Sequence, residues 1–309
     1  MSSASNLFSV ATLPQEAVPA KTFVKPGWYQ DIPNEDYHRG SGTSSSNLKT
    51  LLPKTPAHLQ HEKQNPKDAT KAMNLGTAVH SLVLEPENFD KDIAVMPVLN
   101  LRTKADQAEK AEFLIENKGK TIITPEQLVE AKAMAARVLE HPIAKVLVSD
   151  IICESSVYWW YKSMDTDDTD DYKEMLKVRP DGISKKMPIL IDLKTTKDAS
   201  YSGFIRSIQD YNYHISAAMY LEGVNQCQEL LDEIGFFAYT KFVFVCVENF
   251  PPYEVACYEL SDDYLNLGKQ LYRRAVFNLK YGRENKWPGY PEEVRIIEPP
   301  SYASKIWTV

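Results

Sequence analysis

Arg179-Pro180-Asp181-Gly182-Ile183-Ser184-Lys185-Lys186-Met187-Pro188-Ile189-Leu190-Ile191-Asp192-Leu193-Lys194-Thr195-Thr196 is the stretch on which the fold turns. Lys185-Lys186-Met187-Pro188 reads as a turn, and Ile189 to Thr195 as the strand that leaves it. Side chains alternate along a strand, so Asp192 and Lys194 project from one face while Ile191 and Leu193 project from the other. The hairpin returns Asp181 beside them, which sets two carboxylates and an ammonium at one edge of a sheet. A carboxylate pair offering only oxygen ligands suits Mg²⁺, with Mn²⁺ as a possible substitute, since both keep waters and accept phosphate oxygens. Such a cation generates hydroxide and stabilises a leaving oxyanion, and a nearby lysine can position the water or neutralise phosphate charge. A surface hairpin with a solvated Asp–Lys pair is the blander alternative. It leaves unexplained why Asp192 interrupts the apolar run Ile189-Leu190-Ile191, where a buried carboxylate must be paired, metal-bound or neutralised.

Outward from this hairpin, Ile151 to Lys162 reads as a strand, being rich in β-branched and aromatic residues, and Glu174 to Ile183 as a returning one. Between them lies an acidic run, Asp165, Asp167, Asp168, Asp170 and Asp171. It is not an EF-hand: the positions that need Gly and Glu hold Asp170 and Leu176, so it reads as a solvated hairpin tip. The pattern predicts a helix over about 201–222, strands over 236–247 and 253–260, and a helix over about 262–281. Residues 42–147 read as mostly helical. Ser44 to Ser46 cap a helix through Leu48, Leu51 and Leu52, and a second helix runs from about Ala72 to Leu84. Thr124-Pro125-Glu126-Gln127 opens a third, which stops at His141-Pro142. The Ser-, Ala- and Pro-containing residues 1–26 read as a disordered tail. The resulting layout is an α/β chain with one domain over 27–309: a mainly helical part at 27–147 and an α/β core at 148–300.

The chain has 309 residues, with 43% hydrophobic and 25% charged residues, the composition of a globular protein with a full core. Membrane insertion is excluded for want of about 20 consecutive apolar residues. The N-terminal residues lack the basic-then-apolar order of a secretion signal. Four cysteines (Cys153, Cys227, Cys246 and Cys257) show no metal-finger spacing, which fits a reduced, cytoplasmic protein. A net charge of −7 argues against a generic nucleic-acid coat protein, though a groove can be basic within an acidic molecule.

The Arg179-Pro180-Asp181 and Ile191-Asp192-Leu193-Lys194-Thr195-Thr196 segments resemble the core of the PD-(D/E)-x-K nucleases, and more narrowly the RecE-type exonucleases (exodeoxyribonuclease VIII) of phages and prophages. Gly76-Thr77-Ala78-Val79-His80 is similar to the family's G-x-x-x-H helix, and Cys153-Glu154-Ser155 to its acidic strand. Tyr213-His214-Ile215-Ser216-Ala217-Ala218-Met219-Tyr220 is similar to its Y-H-x-Q-x-x-x-Y helix. Tyr29 to Leu52, including Tyr37-His38, and Trp287-Pro288-Gly289-Tyr290 are similar too, so that the likeness spans roughly residues 27–295 in the family's order. The resemblance implies a mixed central β-sheet flanked by helices. It also implies a Mg²⁺-dependent 5′-to-3′ exonuclease on double-stranded DNA ends, leaving 3′ single strands for recombination. Its partners would be a RecT-type single-strand annealing protein and further copies of itself in a ring-shaped homo-oligomer.

On this reading Asp181, Asp192 and His80 are metal ligands, Lys194 is catalytic, and Glu154 is auxiliary. Taken alone, His80 is an ordinary helical histidine, and Glu154 could equally be paired with a neighbouring Lys or Arg. Ser216 stands where the family has Gln, and a hydroxyl cannot make the two-sided contact of an amide. DNA contacts are expected from Arg179, Lys197, Arg206, Tyr213 and Tyr220, with Lys185 and Lys186 also near the site. Lys269, Arg273 and Arg274 form a second basic candidate. Two other readings stay open: another nuclease of the superfamily, single-strand-specific or structure-selective, and a non-catalytic DNA-binding relative.

Overall fold

A computed structural model describes residues 24–30, 32–100, 102–162 and 172–300. The acidic run and nearly all of the expected tail lie outside the described residues. The helical part contains β1 (Gly27–Tyr29), α1 (Asn34–Arg39), α2 (Ser45–Thr50), α3 (Pro56–Gln64), α4 (Lys71–Leu84), α5 (Phe89–Asp92), β2 (Ile93–Val95), α6 (Lys104–Glu116), β3 (Thr121–Ile123), α7 (Pro125–Glu140) and α8 (Ala144–Leu147). The core follows with β4 (Ile151–Cys153), β5 (Ser156–Lys162), β6 (Lys173–Val178), β7 (Gly182–Ser184), β8 (Ile189–Thr196), α9 (Tyr201–Tyr211), α10 (Tyr213–Asn225), α11 (Gln228–Ile234), β9 (Lys241–Glu248), β10 (Val255–Glu259) and α12 (Asp262–Glu284). The caps form as their residues dictate. Thr124 and Gln127 close a reciprocal capping box on α7, and Ser44 does the same with Asn47 on α2.

The central sheet has the order β10-β9-β8-β7-β4, with β8 and β9 parallel and the other neighbours antiparallel. Alternation along β8 and β9 divides two cores. Ile189, Ile191 and Leu193 join Val243, Val245 and Val247 against Val79 and Val83 of α4 and Met134 and Val138 of α7. Leu190, Phe242, Phe244 and Cys246 face the other way, against α2, α9, α10 and α12 through Leu48, Phe204, Ile215, Met219 and Val276. The register pairs Asp192 with Phe244 and Lys194 with Cys246, so both polar residues lie on this second face, at its edge. A second sheet, β1-β5-β6, stacks beside it, and the small parallel pair β2-β3 braces the helical part.

Two expected strands divide. The 151–162 segment splits into β4, paired with β7, and β5, paired with β6. The 174–183 segment splits at the same level, around Arg179-Pro180-Asp181. Pro180 has no amide hydrogen for a ladder, and Glu154 opposite adopts φ +46, which no strand residue can. The ribbon therefore crosses from one sheet to the other at the two acidic residues. The expected 201–222 helix likewise breaks at Asn212, whose φ of 53° and ψ of 46° are left-handed, a conformation that Asn tolerates best after Gly. Strand β9 begins at Lys241 rather than at Phe236, because the Asn225 amide donates to the Tyr239 carbonyl (2.8 Å) and accepts from its N–H (2.7 Å), which holds the chain there as a loop. α6 and α11 carry too few buried apolar residues to show a helical stripe in the sequence.

α10 and α12 cross at Gly268, where a Cβ would meet the His214 carbonyl oxygen at 2.1 Å. Gly268→Ala should therefore lower the denaturation midpoint. Overpacking against backbone costs about 1–3 kcal/mol. The better helix former returns about 1 kcal/mol, so a net loss is expected in chemical unfolding.

Candidate active site

The β7–β8 pairing, Gly182 opposite Ile191, places Asp181 next to the strand that carries Asp192. Asp181 Oδ2 accepts the Leu193 N–H at 2.8 Å and lies 3.5 Å from His80 Nδ1, which reaches it from α4. Asp192 is 5% exposed, and the Lys194 ammonium lies against its Oδ1. No other hydrogen-bond donor among the described residues reaches that buried oxygen. Burial drives the Asp192 carboxyl upward in pKa against the pull of Lys194, and Asp181 adds to the rise. The same carboxylates hold the Lys194 ammonium above its ordinary value despite burial. His80 is pushed below its ordinary value chiefly by burial, with Asp181 opposing and Lys194 assisting. The imidazole is thus neutral near pH 7, the form that can donate a lone pair.

Glu154 stands at the sheet crossing with an unusual backbone for a residue with a side chain. Its carboxyl is raised to about 7 by burial and by Asp181, while Arg179 opposes. Arg179 Nη1 lies 3.6 Å from Glu154 Oε2. The rest of that guanidinium is spent inside the protein. Nε donates to Ser156 Oγ (2.9 Å), Nη2 donates to the Ile32 carbonyl (2.8 Å), and the Tyr37 ring lies 4.2 Å beneath it. Arg179, expected on DNA, is 9% exposed and clamps the N-terminal segment to Glu154. In sequence, Arg179-Pro180 draws attention as part of the motif and gives no sign that the side chain turns inward.

The other expected DNA residues fall into two groups. Lys197 is exposed just past β8, and Arg206 on α9 pairs with Asp198 at 3.1 Å. Tyr213 and Tyr220 are half-buried. Tyr213 packs on Phe244 with its ring 5.4 Å below the Lys194 ammonium, and Tyr220 packs on Phe242. Lys185 and Lys186 sit at the opposite end of β8, roughly 20 Å from Lys194 at about 3.3 Å per residue, and Lys186 pairs with Asp150. They are not near the site. Lys269 and Arg273 approach Glu222 at 3.7 and 3.8 Å, beside a cavity of about 310 Å³ between α10 and α12. Ser216, where the resemblance leads one to expect Gln, donates to Ser45 Oγ of α2 at 3.3 Å, so the shorter side chain is absorbed by packing between α10 and α2. His214 is buried against Tyr264 and does not take over that position.

Among the described residues, no group of three or more His, Cys, Asp or Glu side chains closes into a metal cage. Asp181, Asp192 and His80 are neighbours without forming the complete ligand set expected of them. Mg²⁺ asks for less, since one or two carboxylates suffice and water fills its remaining positions. The donors fit that demand. Two carboxylates repel each other across the β7–β8 pair, with Glu154 adding a third charge, and the buried Asp192 oxygen has only an ammonium for company. Bound there, a divalent cation would polarise a phosphate and acidify a water.

The family model described as a PDDEXK-like domain of unknown function (DUF3799) matches residues 44–299. The chain belongs to that family. The PDDEXK-like match covers α2 through the end of α12, including His80, Glu154, Asp181, Asp192 and Lys194. Among solved structures, a protein from Eubacterium rectale described as a "putative exonuclease" aligns with 91% of this chain and 99% of its own, at 15% identity and a TM-score of 0.55. That likeness shows a shared fold. SSO0001 aligns over 76% of this chain and 84% of its own, at 14% identity with a TM-score of 0.29, too low to carry an argument. No curated protein matches. All four cysteines are free, and among the described residues no helix is long and apolar enough to cross a membrane.

Proposed function

We propose that this PDDEXK-like protein is a Mg²⁺-dependent deoxyribonuclease of RecE type, which degrades double-stranded DNA ends 5′ to 3′ and leaves 3′ single strands. The observation that carries the hydrolytic part is the buried Asp192, tied to Lys194 and set beside Asp181, which immediately precedes the neighbouring strand. Asp181 and Asp192 would hold the cation. Lys194, kept protonated by both carboxylates, orients the attacking water and offsets charge gathering on the phosphate. Neutral His80, 3.5 Å from Asp181 Oδ2, would hold that carboxylate in place for a cation. End polarity, the recombination role, a RecT-type partner and a ring of subunits rest on the resemblance of the motifs, and a cytoplasmic location rests on the spacing of the four free cysteines. The fold shared with the Eubacterium rectale protein is in keeping with an exonuclease.

The test is end-labelled linear duplex against a closed circle of the same sequence, with Mg²⁺ and with chelator. Progressive loss of the linear form in Mg²⁺ alone supports the proposal. Cutting of the circle would point to an endonuclease, and binding without cleavage to a non-catalytic relative. For His80→Ala, activity should fall by about 10–100-fold, as for residues that orient a metal ligand, with a melting temperature close to wild type. Full turnover at limiting Mg²⁺ would make His80 an ordinary helical residue.

A further inference from the structure

Lys49 attracts no notice in the sequence, yet the fold brings it to the site from α2. Its ammonium donates to the Tyr211 carbonyl at the end of α9 (3.1 Å) and lies 5.7 Å from the centre of the Tyr213 ring. The Lys194 ammonium lies 5.4 Å from the centre of that same ring. Two cations therefore share one aromatic ring beside the carboxylates. Lys194 is matched by Asp192, and Lys54, Lys186, Lys241 and Lys269 each have a carboxylate within 4 Å. Lys49 has none among the described residues. We propose that Lys49 is a substrate-binding residue of the nuclease site that holds a phosphate of the cleaved strand next to the one being cut; the inference rests on the nuclease function proposed above.

Charge and geometry support it together. Burial and Lys194 lower Lys49 to about 8, with Asp192 pulling the other way from a distance, so near pH 7 it is still mostly an ammonium, and no carboxylate among the described residues lies within 4 Å of it. A phosphate supplies a direct partner. The plainer role, closing the carbonyl end of α9, uses only one of its three donors. Glutamine can keep that hydrogen bond without the charge, which separates the two roles.

The experiment compares the full-length wild type, Lys49→Gln and Lys49→Arg on linear duplex in Mg²⁺. The substrate carries either a 5′-phosphate or a 5′-hydroxyl, and KM, kcat and salt dependence are read. Lys49→Gln should raise KM about tenfold, with the loss falling on KM rather than kcat. It should also flatten the slope of log(kcat/KM) against log salt by about one, as for the loss of one phosphate contact. Lys49→Arg should restore both, and the melting temperatures should coincide. A KM defect confined to the 5′-phosphorylated duplex assigns the terminal phosphate, and an equal defect on both assigns an internal one. An unchanged KM and salt slope in Lys49→Gln would overturn the inference. A wild type that leaves the duplex intact would instead overturn the nuclease function itself.

Discussion

Asp192→Asn should reduce cleavage of linear duplex by several orders of magnitude while leaving the metal-free protein as stable as wild type or more so. The substitution keeps the volume and removes the charge that draws a cation to β8. Without a cation there is neither an acidified water nor a Lewis acid on the phosphate. Stability moves independently because burial and Asp181 make the Asp192 charge costly, Lys194 offsets that cost only in part, and in the variant Lys194 keeps the attraction of Asp181. Mg²⁺ should accordingly raise the melting temperature of wild type more than that of the variant, by linkage to binding. This second readout does not depend on turnover. A surface Asp–Lys pair would behave otherwise: its loss is worth about 0–1 kcal/mol and leaves activity alone. Wild-type cleavage by Asp192→Asn would end the mechanism proposed here.

The strand bearing Asp192 and Lys194 is legible because period-two alternation and an apolar interruption need no tertiary information. The same holds for the caps of α2 and α7, where side chain and backbone partner are three residues apart. What the chain conceals is long-range. Glu154 and Pro180 break their strands as a pair, and that pairing depends on two sheets meeting there, although each residue alone could sit at a strand end. Arg179 looks like a free cation until Ser156, Ile32 and Tyr37 are brought around it from distant segments. Lys49 is the converse case. Its helix is predicted, but its approach to Tyr213 depends on Asn212 breaking α9 from α10, and the 201–222 periodicity runs straight through that break.

Lys194→Met carries the largest combined effect, on cleavage and on folding together. Loss of a group that positions the attacking water typically costs about 10²–10⁴-fold in rate. The folding effect is separate and can be read in chelator. Removing one partner of a buried pair strands the other, at about 3–5 kcal/mol if the charge stays. Asp192 can escape by taking up a proton, because Lys194 is the strongest influence holding its pKa down. The sign follows from that. A carboxyl whose folded pKa lies above its ordinary 3.8 costs nothing while both states are protonated. Stability is then lost as pH rises from about 4 to the raised folded value, and levels off beyond it. Wild type, whose own Asp192 value is already raised to about 7, shares the first part of that loss, so Lys194→Met should match it in acid and fall behind it only above about pH 7. Adding Asp192→Asn to Lys194→Met should recover the stability and none of the activity, a coupling that a double-mutant cycle reads directly. If Lys194→Met unfolds at the wild-type midpoint from about pH 7 to 9, the ammonium is not what keeps Asp192 ionised inside the sheet, and the site would need another cation to account for its charge.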